Sequence, residues 1–274
     1  MYLYRKIVLV LIALSVFGCA TLSTRAPTSE VSDVTLPDRI ISDFDDTIKI
    51  SNSPNKFETV LRALFSKKVF PGMAELYDEI LRGNTPIAPK LVVVSASPTV
   101  LQKKIHKTLD SAGYPPRLLV LRNWGKDESK FDYKLRSLRQ ELIKPTLLLG
   151  DDGESDPEIY EAAQAERPEK VVGIYHRAIK GRKIPANQSH FWTAFEVAYY
   201  EHLLGRLDPE AVLRVSRAVL AYKKKFKTVI PDFMSCPDRY PLTCQESGLG
   251  ELREACSEVR TQVEKLCAKR PRSP

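Results

Sequence analysis

The chain lacks any apolar run long enough to cross a bilayer. Its one long run, Ile7 to Phe17, has eleven residues, against about 20 for a spanning helix, so a multi-span membrane protein is excluded. Glycine is scarce, with 12 residues beside 19 prolines, and 28% of the 274 residues are charged. That composition excludes collagen-like, low-complexity and wholly disordered chains. No internal repeat is visible. A basic–aromatic cluster is also missing, so no nucleic-acid partner is expected. What is present is 43% hydrophobic content, enough for one domain with a core, alone or with an accessory piece. The net charge of +8 suits anionic partners without selecting one.

The N-terminus reads as an address. Arg5 and Lys6 precede the apolar run, which leads into Val16-Phe17-Gly18-Cys19, the pattern of a secretory signal. A cysteine directly after a small residue resembles a bacterial lipobox, which implies cleavage before Cys19 and its diacylation. On that reading 1–18 is a signal peptide and the Ser/Thr/Pro-rich stretch 19–38 a flexible tether. Ala20, where an Asp would suggest inner-membrane retention, turns the expectation to a lipid-anchored protein of the bacterial cell envelope, at the outer membrane. Of five cysteines, Cys236, Cys244, Cys256 and Cys267 lie in the last 39 residues. In an exported chain four cysteines suggest two disulfides, with three pairings open. A zinc site is the weaker alternative, because spacings of 7, 11 and 10 intervening residues lack the close cysteine pair that tetrahedral sites use.

From residue 39 short apolar runs alternate with helical patterns. The runs are Arg39–Phe44, Leu91–Val94, Leu118–Leu121, Leu147–Leu149 and Val171–Tyr175. Unbroken by polar alternation, they read as strands buried on both faces of a parallel sheet. Helical stretches at 56–66, 72–82, 98–112, 132–143 and 157–165 separate them, which makes the fold class α/β. Such sheets bind ligands at the carboxyl ends of their strands. Asp43-Phe44-Asp45-Asp46-Thr47 follows the first run, Ser95-Ala96-Ser97-Pro98 the second, and Gly150-Asp151-Asp152-Gly153-Glu154-Ser155-Asp156 the fourth. Lys134 opens the helix before that fourth run. Carboxylates from two strand ends offer hard oxygen ligands for Mg2+. A hydroxyl and an ammonium offer donors to a phosphoryl group, and a further carboxylate can act as nucleophile. Each piece alone is weak, since Asp is common in turns; their joint order carries the weight.

This set resembles the haloacid dehalogenase superfamily of aspartate-nucleophile phosphatases. Within it, the segments Ile41–Lys49, Phe70–Met73, Val94–Pro98, Leu121–Trp124, Gly150–Tyr160 and Ile174–Arg177 are similar to the actin-patch-associated phosphatidate phosphatase family, over about residues 40–180. The resemblance implies a Rossmann-like parallel sheet flanked by helices with a small or absent cap, and a phosphoric monoester hydrolase. It implies that Asp43 is the nucleophile and Asp45 the acid and base. Mg2+ is then held by Asp43, the Asp45 carbonyl and Asp151, with Asp156 less direct. Ser95 and Lys134 complete the catalytic set, with Lys130 the rival lysine. Thr47, Ser95, Arg122 and Arg177 are expected at the substrate. Asp152 stands where the family usually has Ser, an extra charge expected to alter metal affinity. The implied substrate is a phosphorylated lipid. The alternatives are soluble phosphomonoesters or phosphoproteins, or a tethered binding protein without catalysis.

Outside the motifs, the helix at 56–66 stripes Phe57, Val60, Leu61, Leu64 and Phe65 along one face, read as core packing or a lid. The domain is expected over 39–205. A helical, disulfide-tied region follows over 206–274, with no family resemblance. In it, residues 208–227 place Val212, Val215, Val219, Tyr222 and Phe226 on one stripe, with Arg214, Arg217, Lys224 and Lys225 off it. Such a basic amphipathic helix docks on the domain or lies on an acidic membrane surface.

Overall fold

The computed structural model describes residues 34–51, 68–82, 90–125, 129–244 and 250–270. The signal and lipidation site at Cys19, most of the tether and the 56–66 helix lie outside them. Six strands form one parallel sheet in the order β3-β2-β1-β4-β5-β6. They are β1 (Arg39–Ser42), β2 (Leu91–Pro98), β3 (Arg117–Arg122), β4 (Thr146–Asp151), β5 (Val171–Arg177) and β6 (Ser189–Phe191). The central β1 and β4 are buried at every residue, as their unbroken apolar runs require.

Alternation along the strands sorts side chains between two layers. Ile40, Leu91, Val93, Leu147 and Leu149 share a core with α1 (Met73–Leu81), α2 (Gln102–Ser111), α5 (Ala194–Leu203), α6 (Pro209–Leu220) and α7 (Gly250–Cys267). Ile41, Val92, Val94, Leu148 and Ile174 face α3 (Lys130–Glu141) and α4 (Asp156–Glu166). Helix starts follow local chemistry: Ser129 accepts the Asp132 amide, Asp208 that of Ala211, and Thr193 with Glu196 forms a capping box. Gly72 opens α1 at φ 81°, where a Cβ would lie 2.7 Å from Val219; both the turn and the close packing of α6 demand glycine.

The C-terminal residues share this packing. Val212, Val215 and Val219 of α6 and Leu252, Cys256, Val259 and Val263 of α7 belong to the larger core. The basic amphipathic helix docks on the domain, its Arg214 paired with Glu79 of α1. It ends at Leu220 and gives way to a 3-10 turn at Lys223–Thr228, so Tyr222 leaves the buried stripe and is exposed. Disulfides join Cys236 to Cys267 and Cys244 to Cys256, which selects one of the three pairings. Among the described residues, no helix is long and apolar enough to cross a membrane.

Candidate active site at the carboxyl edge of the sheet

The loop after β1 begins as a continuation of the ladder, with the Asp43 amide donating to the Leu149 carbonyl at 2.9 Å. It then turns tightly. Ile48 and Lys49 both donate to the Phe44 carbonyl, and Asp46 sits at φ 56°, a conformation Asp tolerates better than most residues. Its Oδ1 accepts the Ser51 amide. The turn brings Asp43 and Asp45 to the sheet edge in different settings.

Asp45 is held by hydroxyls. Ser51 donates to its Oδ1 at 2.8 Å, Ser97 to its Oδ2 at 3.1 Å, and Ser95 makes a long contact to the same oxygen at 3.5 Å. Ser95 in turn accepts the Ser97 amide. Asp43 meets a cation instead. The buried Lys134 ammonium donates to Asp43 Oδ1 at 2.8 Å and to Asp156 Oδ1 at 2.5 Å. The rival, Lys130, pairs with Glu154 at a half-exposed position.

Among the described residues, Asp43, Asp151 and Asp156 form a cluster whose ligand atoms lie within 4.8 Å of one another, all buried. Asp156 is drawn close by Gly150, where a Cβ would lie 2.8 Å from its Oδ2. Burial, then Asp156 and Asp45, push the Asp43 carboxyl up to about 7 against the pull of Lys134. Burial and the two neighbouring carboxylates likewise raise Asp151 well above the ordinary range. Burial opposes the Lys134 charge, but Asp156, Asp43 and Asp151 overrule it and hold its pKa above the usual value. Three buried carboxylates share one buried lysine, so their joint ionisation calls for a further cation. All-oxygen donors of this charge suit a hard divalent cation, so the residues fit the metal that the sequence implies.

Two further side chains are engaged elsewhere than expected. Arg177, expected at the substrate, is fully buried. Its Nε and Nη2 donate to the Thr47 carbonyl and its Nη1 to the Trp192 carbonyl, with Phe70 and Phe191 over the guanidinium at 3.7 and 4.6 Å. Its donors hold protein carbonyls, and burial pulls its pKa down to about 10. Asp152, expected to tune the metal, is turned into the loop after β5. It accepts the amides of Ile179, Lys180 and Arg182 and the His190 ring. Burial opposes its charge, but these donors lower its pKa. Thr47 is buried, and among the described residues its Oγ1 has no hydrogen-bond partner. Arg122 ends β3, in register with Pro98. His176 is a packed ring, stacked on Tyr160 and bonded to Gln188. The hydroxyl clamp on Asp45 escaped the sequence reading, although Ser97 lies in Ser95-Ala96-Ser97-Pro98 and Ser51 six residues past Asp45.

A carboxylate bonded to a buried lysine, a hydroxyl-held carboxylate two residues on and a cation-ready acidic cluster define a class, the phosphoric monoester hydrolases. The chain belongs to the family of the phosphatidate phosphatase APP1 catalytic domain, whose family model matches residues 39–178, just over half of its length. That segment runs from the start of β1 to the end of β5 and holds every carboxylate of the acidic cluster. No curated protein and no solved structure matches the chain.

Proposed function

We propose that the chain hydrolyses phosphatidate or a related lipid phosphomonoester through an aspartyl-phosphate intermediate, with Mg2+ as cofactor. The observation that carries this reading is the Lys134 bridge between Asp43 and Asp156. It orients one Asp43 oxygen and sets a positive charge where a phosphoryl group would join. In the first half-reaction an Asp43 oxygen bonds phosphorus, the bond from phosphorus to the leaving alcohol breaks, and Asp45 protonates that oxygen. In the second, Asp45 takes a proton from water as the water oxygen displaces Asp43, releasing inorganic phosphate. The hydroxyls of Ser51 and Ser97 hold both Asp45 oxygens and so aim the proton. Ser95, Thr47 and Arg122 are the proposed phosphoryl contacts.

Asp43, Asp151 and Asp156, with the Asp45 carbonyl, would hold the Mg2+. Bound there, it offsets repulsion between the carboxylate and the phosphate and stabilises charge on the equatorial oxygens. The test is phosphate release by the full chain from phosphatidate in mixed micelles, beside p-nitrophenyl phosphate and nucleotides, with and without Mg2+. Release from phosphatidate that needs Mg2+ and disappears in Asp43→Asn supports the reading. Release from soluble esters alone removes the lipid, and no release from any ester removes catalysis. The lipid anchor at Cys19 in a bacterial outer membrane is part of the same proposal. It is tested by palmitate incorporation, which Cys19→Ser would abolish.

A further inference from the structure

The edge of the sheet that carries the acidic cluster also carries exposed apolar side chains from three segments. Val100, two residues past β2, is 83% exposed. Trp124, two residues past β3, is 44% exposed. Its Nε1 donates to the Ala96 carbonyl at 2.8 Å, so the indole stands over the segment whose Ser95 and Ser97 contact Asp45. Phe131, in the first turn of α3, is 36% exposed and lies one turn before Lys134. In a right-handed parallel sheet all three positions, after β2, after β3 and at the start of α3, fall at the carboxyl edge.

Charge accompanies them. The helix after Val100 carries Lys103, Lys104 and Lys107, with Lys103 and Lys107 exposed. Lys104 is close to the nucleophile loop: the buried Lys49 has its pKa lowered by burial first, against the pull of Asp45, and by Lys104 as well. Among the described acidic residues of these segments, Asp110 pairs with Arg117 and Glu154 with Lys130, and Asp132 accepts from Ser129.

From this juxtaposition we infer that the mouth of the site is a docking surface for an anionic phospholipid bilayer. Val100, Trp124 and Phe131 enter the headgroup–acyl boundary, and the α2 lysines lie over acidic headgroups. The inference deepens the proposed function, on which it rests, by stating how a lipid phosphomonoester reaches Asp43 without leaving its membrane. Each feature has a physical role. Trp is at home in the interface because it is apolar with a polar edge; here that edge is satisfied by Ala96. Apolar insertion combined with basic attraction is what holds a protein on acidic membranes. Salt weakens the second part only.

The test uses the full chain and vesicles of equimolar phosphatidylcholine and phosphatidylglycerol with brominated acyl chains, which contain no substrate and need no turnover. The two tryptophans are Trp124 and Trp192, and Trp192 is only 8% exposed. Quenching that disappears in Trp124→Phe therefore reports insertion at the mouth, whatever the N-terminus does. The expected result is quenching of Trp124 that is lost in Val100→Asp/Phe131→Asp. That variant should also release phosphate from vesicular phosphatidate at least about tenfold more slowly, as expected for two lost apolar contacts, while hydrolysing short-chain monomeric phosphatidate at the wild-type rate. Unquenched Trp124 in the wild type overturns the inference. So does undiminished quenching in the double variant, or a dimer in sedimentation that the double variant dissolves without any vesicle effect. Quenching without hydrolysis of any phosphatidate would leave the docking surface standing and remove the substrate.

Discussion

Arg177 donates through both Nε and Nη2 to the carbonyl of Thr47, so the end of β5 holds the back of the Asp43–Asp45 loop. The charge of the guanidinium rests on two carbonyls and two aromatic faces. Lysine cannot span the same forked contact. Arg177→Lys should therefore leave a buried carbonyl unsatisfied and cost about 2 kcal/mol of stability. Phosphate release should fall at least about tenfold, because a nucleophile displaced by a fraction of an ångström loses alignment. Thermal unfolding and kcat on a soluble ester check both. A variant that loses stability but keeps kcat would show that the loop is held by other contacts.

Asp152 predicts a stability difference with a defined pH dependence. Its folded pKa is depressed below the ordinary 3.8, so its contribution is present above that value and fades as pH falls through the folded pKa. Asp152→Asn should be less stable than wild type at neutral pH, with the gap shrinking below about pH 4. Denaturant titrations from pH 7 to pH 3 measure the gap. Because the carboxylate is spent on the 179–182 loop and His190, Mg2+ affinity should change little, which a Mg2+ titration reads separately.

His176 acts in a higher window. Gln188 donates through Nε2 to Pro157, which turns its Oε1 toward the ring, so His176 Nε2 carries the hydrogen, and Nδ1 has no partner among the described residues. Burial lowers the ring's pKa from 6.5 to about 4. The unfolded chain therefore binds a proton first as pH drops, and stability falls between pH 6.5 and 4, by about 3 kcal/mol in all. Asp43, raised to about 7, works in the opposite direction in cation-free protein, so the comparison must be with a variant. His176→Phe keeps the stack on Tyr160 and removes the proton site. The wild-type-minus-variant stability should slope across this window and be flat above pH 7.

The acidic cluster yields the next prediction. Cation-free, Asp43, Asp151 and Asp156 repel one another with only Lys134 between them. Asp151→Asn removes a carboxyl whose ionised form burial disfavours, so the cation-free variant should unfold at or above the wild-type temperature. Mg2+ should stabilise the wild type by about 3 kcal/mol at a hundredfold excess over Kd and the variant far less. Scanning calorimetry with Mg2+ and with EDTA decides it. An equal Mg2+ shift in both proteins would place the cation elsewhere.

The sheet was legible where burial leaves a pattern. β1 to β5 are unbroken apolar runs, and their order put Asp43, Lys134, Asp151 and Asp156 at one edge before any contact was visible. β6 was not legible: Ser189-His190-Phe191 is too short and too polar to read as a strand, and it is held by pairing with β5. Arg177 and Asp152 lie at or just past strand ends, as their sequence positions imply, but their side chains are engaged within the protein. A position after a strand tells which edge a residue occupies. It does not tell that Phe70 and Phe191 will close over a guanidinium, or that three loop amides will converge on a carboxylate. Those partners come from segments remote in sequence, and no local spacing announces them.

The disulfides carry the last prediction. Cys236–Cys267 and Cys244–Cys256 close loops of 31 and 12 residues, and α7 between them lends Leu252, Val259 and Val263 to the main core. The same tail reaches the site's support: Ser235 donates from its amide to Ile179 and from its hydroxyl to Ala178, and accepts from the Trp192 indole. Trp192 is the residue whose carbonyl receives Arg177. Reduction should therefore cost about 3 kcal/mol per bridge and should also lower phosphate release at temperatures where most of the protein remains folded. Cys236→Ser/Cys267→Ser, which frees the segment bearing Ser235, should affect kcat more than Cys244→Ser/Cys256→Ser at matched stability. Equal kcat in both variants would confine the tail to a structural role.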